Sequence, residues 1–466
     1  MAGIGFLLRE LTHRDDLLGF TRAYVHSALV STGPWIFTIV SIGLIVLLGS
    51  DYTTSLGIET FRLIVIYNFS FSLVFSGPVM LVVSRYLSDL MYAKDPEGSP
   101  GVLLGSLALL YATQILIVGP FYAFYVNLEL PLRIAAIVNF FLVTGVWIIT
   151  VFLTTLKDFT FVTRAFIVGT ISGIVFTALL ARYYSVLGML IGFNTGMAIV
   201  LFAMMAKTFS EFPYRVIRPF AFLSYFKRYW ELALTGFIYN LAIWVDKWIM
   251  WFSPQRIISE TRMIHYPDYD SAMFLAYLTI VPSMAVFLVS VETRFYEQYQ
   301  KFNRDIQGLA TYAQIDINHK NIIQTIHESF RNFTVVQGSI AAVVILTAPT
   351  IFDWFNINFL QLSIFRAGVA GALFHFMFLY LTIVLQYFDF RRVVLLLHLF
   401  FLTTNVGLTI LSIKMGFAFY GFGYLVSCIL SFFVTYIVAD YYLRRLTYET
   451  FISHNPSIQH SPVEQG

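Results

Sequence analysis

RVVLLLHLFFLTTNVGLTILSI, residues 392–413, contains no acidic residue, and its apolar side chains run on without a period of two. As a helix it extends about 33 Å, enough to cross about 30 Å of hydrocarbon. Outer-membrane strands are about ten residues long and alternate strictly, which Val393–Leu402 does not. Comparable runs lie near 22–49, 60–87, 101–125, 130–155, 160–181, 185–207, 229–252, 272–292, 332–352, 358–387 and 417–442. The expected fold is an all-α polytopic membrane protein with twelve transmembrane helices.

Composition agrees. Of 466 residues, 58% are hydrophobic, 18% aromatic and only 12% charged, with a mean hydropathy of +0.75. Soluble domains carry about 25% charged residues. The net charge of +3 is too balanced for a nucleic-acid binder, so charge placement matters instead. With an even number of spans, all of the 29 Lys and Arg lie with the termini except Arg62, Arg133, Arg182, Lys247, Arg256, Arg262, Arg366 and Lys414. By the positive-inside rule both termini are cytoplasmic.

Residues 208–228 divide the chain into an N-lobe, 22–207, and a C-lobe, 229–446, with a central cavity expected between them. An amphipathic charged segment, 1–21, comes first; it is not a standard cleavable signal, because the apolar run after it is too long. A polar tail, 447–466, comes last. Within 293–331, Phe295, Tyr299, Phe302, Ile306 and Leu309 form an apolar helical stripe. It suits an interfacial elbow on the headgroups or a docking site for a cytoplasmic partner.

Polar side chains are costly in hydrocarbon and turn toward the bundle interior or a watery cavity. The first span carries Tyr24, Ser27, Ser31, Thr38 and Ser41 along one face, with a helix break expected at Pro34; the second carries Asn68, Ser72 and Ser76, with another at Pro78. These stripes suit either close helix packing or a cavity wall. In the seventh, Glu231, Thr235, Tyr239 and Asp246 share a face with Asn240 and Lys247 nearby, while Trp244, Trp248 and Trp251 form the opposite face, an expected outer aromatic belt. The substrate-passage candidates are thus Tyr24, Ser27, Ser31, Thr38, Asn68, Ser72, Thr235, Tyr239 and Asn240. Asp246 and Lys247, about 100° apart, are expected to neutralise each other poorly. Asp246 is therefore assigned to a cavity or to a buried ion pair, with Arg62 or Arg366 as partner and coupling as its role. Glu59 and Arg62 are expected to pair locally.

Nothing points to catalysis. Asp268-Tyr269-Asp270 reads as a solvated loop, no phosphate-binding G-x-x-x-x-G-K-[ST] run occurs, and the nine histidines show no metal-ligand spacing. Cys428 is alone, so it forms no intramolecular disulfide and is expected to pack in the core.

The opening Met1-Ala2-Gly3-Ile4-Gly5-Phe6 with Leu8-Arg9 resembles the start of the PelG family of Pel exopolysaccharide transporters. So do Ser31-Thr32-Gly33-Pro34-Trp35, Phe75-Ser76-Gly77-Pro78 and Asp246-Lys247-Trp248. The resemblance implies membership of the multidrug/oligosaccharidyl-lipid/polysaccharide (MOP) flippase superfamily, with two six-helix lobes alternating access to a central cavity. It also implies a hexosamine-rich polymer as substrate, the bacterial inner membrane as location, no cofactor, and a cytoplasmic glycosyltransferase and membrane proteins of a Pel-type synthase as partners. The alternatives are a flippase for a lipid-linked oligosaccharide and a membrane platform that recruits the polymerising enzyme.

Overall fold

The computed structural model describes residues 36–156, 159–354 and 357–453. Tyr24, Ser27, Ser31, Pro34 and the segment 1–21 lie outside them. Helices come in the order α1 (Ile36–Gly49), α2 (Ser55–Tyr92), α3 (Ser99–Pro120, continued by a π turn Phe121–Tyr125), α4 (Leu130–Leu156), α5 (Phe159–Glu211), α6 (Leu223–Arg228) and α7 (Trp230–Met250). A two-stranded antiparallel ribbon follows, β1 (Ile257–Ile258) against β2 (Ile264–His265). Then come α8 (Pro267–Leu278), α9 (Val281–Ser290), α10 (Tyr296–Gln307), α11 (Tyr312–Trp354), α12 (Leu362–Tyr387), α13 (Arg391–Met415) and α14 (Phe422–Arg444).

Nine helices among the described residues are long and apolar enough to cross a membrane. One of them, within α5, is a hairpin: Ser185, at φ 50° and ψ −126°, leaves the helical region. A Cβ on Gly196 would lie 2.5 Å from the Gly169 carbonyl oxygen, so the two arms run back along each other nearly backbone to backbone. α7 is as long as a span, but Glu231, Asp246 and Lys247 make it unusually charged for one.

Two lobes result. α2, α4 and α5 pack together in the first, with α3 along α4; α7, α8 and α11–α14 pack together in the second. α2 and α7 join the lobes, lying antiparallel, and α2 is helical throughout. The expected break at Pro78 is therefore corrected. A proline inside a membrane helix is tolerated where a neighbour packs on the freed turn, here α7.

The stripe in 293–331 also has a different use. Phe295 and Phe302 are buried, and Phe295 and Tyr299 set their rings 5.2 and 5.5 Å from Tyr387. Asn318 on α11 donates to Asp305 on α10. The apolar face thus packs on the protein itself and not on headgroups, because Tyr387 and Phe388 at the end of α12 offer it an aromatic surface. Leu309 alone of the stripe is fully out, 91% exposed.

Candidate functional site: the seam between the lobes

The contact between α2 and α7 is layered. At its centre the chains nearly touch: a Cβ on Gly77 would lie 2.4 Å from the Gly236 carbonyl oxygen, and one on Gly236 would lie 2.3 Å from that of Gly77. Only glycine at both positions lets the helices approach so closely. One layer toward the ribbon, Asn240 Nδ2 donates to the Leu73 carbonyl at 3.4 Å. Beyond it two flat stacks cross the seam, Phe71 on Trp248 (centroids 4.4 Å apart, 16° between planes) and Tyr67 on Trp251 (4.7 Å, 15°).

The tryptophans were expected as an aromatic belt at the membrane surface. Trp248 and Trp251 lie in the seam instead, and stacking explains the choice. An indole ring gains more dispersion contact against another flat ring than in the headgroup layer.

Each end carries a clasp. At the ribbon end, the Tyr67 hydroxyl donates to the Ile264 carbonyl (2.6 Å) and accepts from its N–H (3.0 Å), while His265 Nε2 meets Glu59 Oε1 at 2.9 Å. Glu59 thus pairs with His265 and not, as expected, with Arg62, which is exposed. Burial pushes the His265 imidazole below its ordinary value, with Glu59 opposing and Arg62 assisting.

At the linker end, Arg85 of α2 pairs with Asp89 (3.2 Å) and approaches Asp389 (3.9 Å). The guanidiniums of Arg85, Arg228 and Arg391 lie 5.2, 5.4 and 4.8 Å from the Tyr229 ring centroid. The Tyr225 hydroxyl donates to Asp89 (3.1 Å).

Behind the seam each lobe has its own buried polar network. In the first, Tyr122 donates to Asn68 Oδ1, Asn68 donates to the Ala136 carbonyl and to Asn139, and Asn139 donates to Asn194. Trp147 donates to Ser72, and Gln114 donates to Ser76. Asn68 and Ser72 were passage candidates. They face their own lobe, 2% and 0% exposed, and their bonds hold α2 to α3 and α4. A seam helix has two inward faces; the polar one is spent inside the lobe, and Tyr67, Phe71 and Gly77 make the other. Thr38 and Ser41 on α1 are buried as well.

In the second lobe Lys247 folds back along its helix. Its Nζ donates to the Ile243 carbonyl (3.0 Å) and to both Asp246 oxygens (3.0 and 3.1 Å), and lies 4.7 Å from the Tyr277 ring centroid. Tyr269 donates to Asp246 Oδ2 at 3.0 Å.

The expectation that the adjacent charges neutralise each other poorly is corrected. The Lys stem is long enough to close the 100° between them. Neither arginine reaches Asp246: Arg62 lies near His265, and Arg366 donates to the Ile345 carbonyl (3.2 Å). Asp246, at 0% exposed, faces no water in this conformation.

Thr235 donates to the Glu231 carbonyl within α7. Tyr239 meets His375 Nε2 at 3.4 Å and lies against the His398 ring (centroids 4.8 Å apart). His375 also meets the Tyr424 hydroxyl at 2.9 Å. Among the described residues, neither nitrogen of His398, itself 5% exposed, has a hydrogen-bond partner. These histidines were invisible to motif reading because they sit 23 residues apart on α12 and α13 and meet Tyr239 from α7; a lone His in an apolar run was the signal. Among the described passage candidates, Asn240 bonds across the seam.

The Asp268/Asp270 pair is no loop. Both residues lie in the first turn of α8, where the helix dipole favours carboxylates, and Asp270 accepts from Trp251 Nε1 (2.9 Å). Among the described residues no group of three His, Cys, Asp or Glu is placed to hold a metal. Cys428 is free and buried.

Residues 1–451 match the family profile of PelG, "Putative exopolysaccharide Exporter (EPS-E)". Among solved structures, the chain is similar to an outward-facing multidrug resistance MATE family transporter of the MOP superfamily. The TM-score is 0.65 at 14% identity, over 96% of this chain and 99% of the other. An inward-facing form of such a transporter gives 0.61 at 14% identity, over 90% and 99%. A MOP superfamily transporter from Pyrococcus furiosus Vc1, described by a reversed polarity of its binding pocket, gives 0.61 at 15%, over 96% and 99%. At such identities the likeness carries the fold alone. Curated proteins gave no match.

Proposed function

Since the chain belongs to the PelG family of exopolysaccharide exporters, we propose that it moves a hexosamine-rich polymer from cytoplasm to periplasm by parting and closing the two lobes at the α2–α7 seam. One observation carries this reading: buried polar networks close within each lobe, whereas stacked rings, glycine contacts, a few hydrogen bonds and the Glu59–His265 and Arg85–Asp389 pairs at the two ends cross between lobes. Such a molecule parts between its lobes before it unravels within them.

In this reading residues 22–207 and 229–446 are the moving units, the chain crosses the inner membrane twelve times, and both termini are cytoplasmic. α10 and the start of α11 then stand on the cytoplasmic side, where a glycosyltransferase of the synthase can dock. Asn240, Tyr239, Thr38 and the first-span residues Tyr24, Ser27 and Ser31 line the passage once the seam opens. Asp246 is the coupling group: the Lys247 ammonium, released from it, leaves a carboxylate that accepts a proton or cation.

Purified protein in liposomes, supplied with labelled glucosamine and N-acetylglucosamine oligomers, tests the reading. Transport of these but not of maltooligosaccharides is expected. Equal transport of a lipid-linked oligosaccharide alone would favour the flippase alternative.

A further inference from the structure

The linker between the lobes, residues 208–228, carries Arg215, Arg218, Lys227 and Arg228 against a single carboxylate, Glu211, which Lys207 already holds (2.7 Å). Asp89 and Asp389 nearby are taken up by Arg85 and Arg391. Among the described residues the four linker cations therefore have no carboxylate within ion-pair distance. On the same segment Tyr214, Val216, Ile217, Phe220 and Leu223 are each 41–53% exposed. The open surface of the linker is thus cationic and apolar at once.

α3 fixes its depth. A Cβ on Gly101 would collide with the Ile217 carbonyl oxygen, and one on Gly105 with that of Pro219, so the linker backbone lies directly on the first two turns of α3. The span that contains α3, Pro96–Tyr125, has 30 residues. As helix it is about 45 Å long, so about 7 Å overhangs each face of ~30 Å of hydrocarbon. Gly101 falls at that boundary and Gly105 about one turn inside it. This is the depth at which in-plane amphipathic segments rest, apolar side chains among the outer acyl carbons and basic ones extended to the headgroups.

The far end of the linker is held at the other lobe. Arg218 acts electrostatically on Tyr86, whose ring meets Tyr225 edge-on (centroids 4.9 Å apart). Tyr225 meets Tyr229 (5.2 Å), over which Arg228 lies. Arg218 and Arg228 thus border one strip of tyrosine rings, and the exposed indole of Trp230 follows it.

We infer that the linker is an in-plane anchor that selects anionic phospholipid. Headgroup phosphodiesters accept hydrogen bonds from Arg215, Arg218, Lys227 and Arg228, and the apolar side chains enter the acyl layer beside α3. A soluble protein partner would meet the charges but not the apolar side chains, which lie below the headgroups. The anchor is a property of the linker and does not depend on which polymer passes the seam.

The test uses full-length protein in nanodiscs, with Val216→Cys on a Cys428→Ala background carrying an environment-sensitive fluorophore. Brominated phosphatidylglycerol is expected to quench it more than brominated phosphatidylcholine at the same mole fraction, and aqueous iodide to quench it little. Arg215→Gln with Arg218→Gln and Lys227→Gln is expected to lower the phosphatidylglycerol preference by up to about fivefold per charge removed, whereas Arg215→Lys with Arg218→Lys keeps it. Raising salt from about 0.05 to about 0.5 M is expected to erode the preference of the parent protein, a reading that needs no variant. Equal quenching by the two lipids overturns the headgroup selection, as does a preference that neither salt nor charge removal lowers. Full quenching by iodide places the linker in water, as a docking surface for a soluble protein would be, and overturns the anchor.

Discussion

Gly236→Ala puts one methyl group where the lobes touch. Its carbon would lie 2.3 Å from the Gly77 carbonyl oxygen, 2.7 Å from the Gly77 carbonyl carbon and 3.2 Å from the Pro78 nitrogen. These are backbone atoms that no rotamer change can move. The helices must separate by about an ångström, at the ~1–3 kcal/mol typical of overpacking. If the seam is the moving boundary, that strain is relieved on parting and falls on the closed state alone. The closed-to-open ratio then drops by roughly 5- to 150-fold. A Cys pair at 71 and 248, on a Cys428→Ala background, reports the closed seam through disulfide formation. Cross-linking of the glycine form and its loss in Gly236→Ala, with a Tm within a few degrees, is the expected result. A marked fall in Tm with cross-linking kept would mean that α2 and α7 belong to one rigid core, and would refute the moving seam.

Other outcomes follow from the lobe interiors and the clasp. Asp246→Asn strands the Lys247 ammonium among Tyr277 and Tyr424 and should lower thermal stability by ~3–5 kcal/mol, while Asp246→Leu with Lys247→Met should restore stability to near wild type. If the coupling role holds, that stable double variant remains inactive in liposome transport. Asn68→Leu leaves Tyr122 and Asn139 short of a partner, which should cost about 1–3 kcal/mol in denaturation without altering the 71–248 cross-link. His265 binds its proton less readily in the folded protein than its ordinary value of 6.5, because burial outweighs Glu59. The unfolded chain therefore takes up protons first as pH falls, so stability declines below about pH 6.5. His265→Gln should flatten that part of a Tm-against-pH curve.

Run length made the helices legible: each apolar stretch from 60–87 onward falls on helix, with 272–292 divided between α8 and α9. The hairpin at Ser185 was legible as two adjoining spans, 160–181 and 185–207, although its backbone forms nearly continuous helix. Polarity was less informative about direction. The stripe Asn68, Ser72 and Ser76 is as regular as a passage wall, yet Gln114, Trp147 and Asn139 meet it from within the lobe. Helical phase tells which residues share a face, not which neighbour that face meets. Gly77 was quoted only within a motif, and Trp248 and Trp251 only as a belt, because their role depends on two helices more than 150 residues apart. Lys247 escaped for a third reason: axial angle described its backbone, and its flexible stem decided the pairing.

The energetics of parting can be assembled from the same contacts. The Phe71–Trp248 and Tyr67–Trp251 stacks contribute ~0.5–1.5 kcal/mol each beyond area burial. The long Asn240–Leu73 bond and the two bonds of Tyr67 with Ile264 are neutral, at about 0.5–1.5 kcal/mol each net. Arg85 and Asp389 are more than a third exposed, so their pairing across the lobes is worth ~0–1 kcal/mol. With the Glu59–His265 pair and the Arg85–Tyr229 contact added at the two ends, the specific contacts total several kcal/mol, of the order of the ~5.5 kcal/mol that moves a two-state equilibrium from 99:1 to 1:99. A substrate or a coupled proton supplies differential binding of that size, whereas breaking Asn68, Asn139 and Asn194 apart would add three buried unsatisfied amides. The lobe boundary is therefore the cheaper line of separation. Weakening the two stacks together, in Phe71→Ala with Tyr67→Ala, should open the seam further than either change alone while the asparagine chain stays intact.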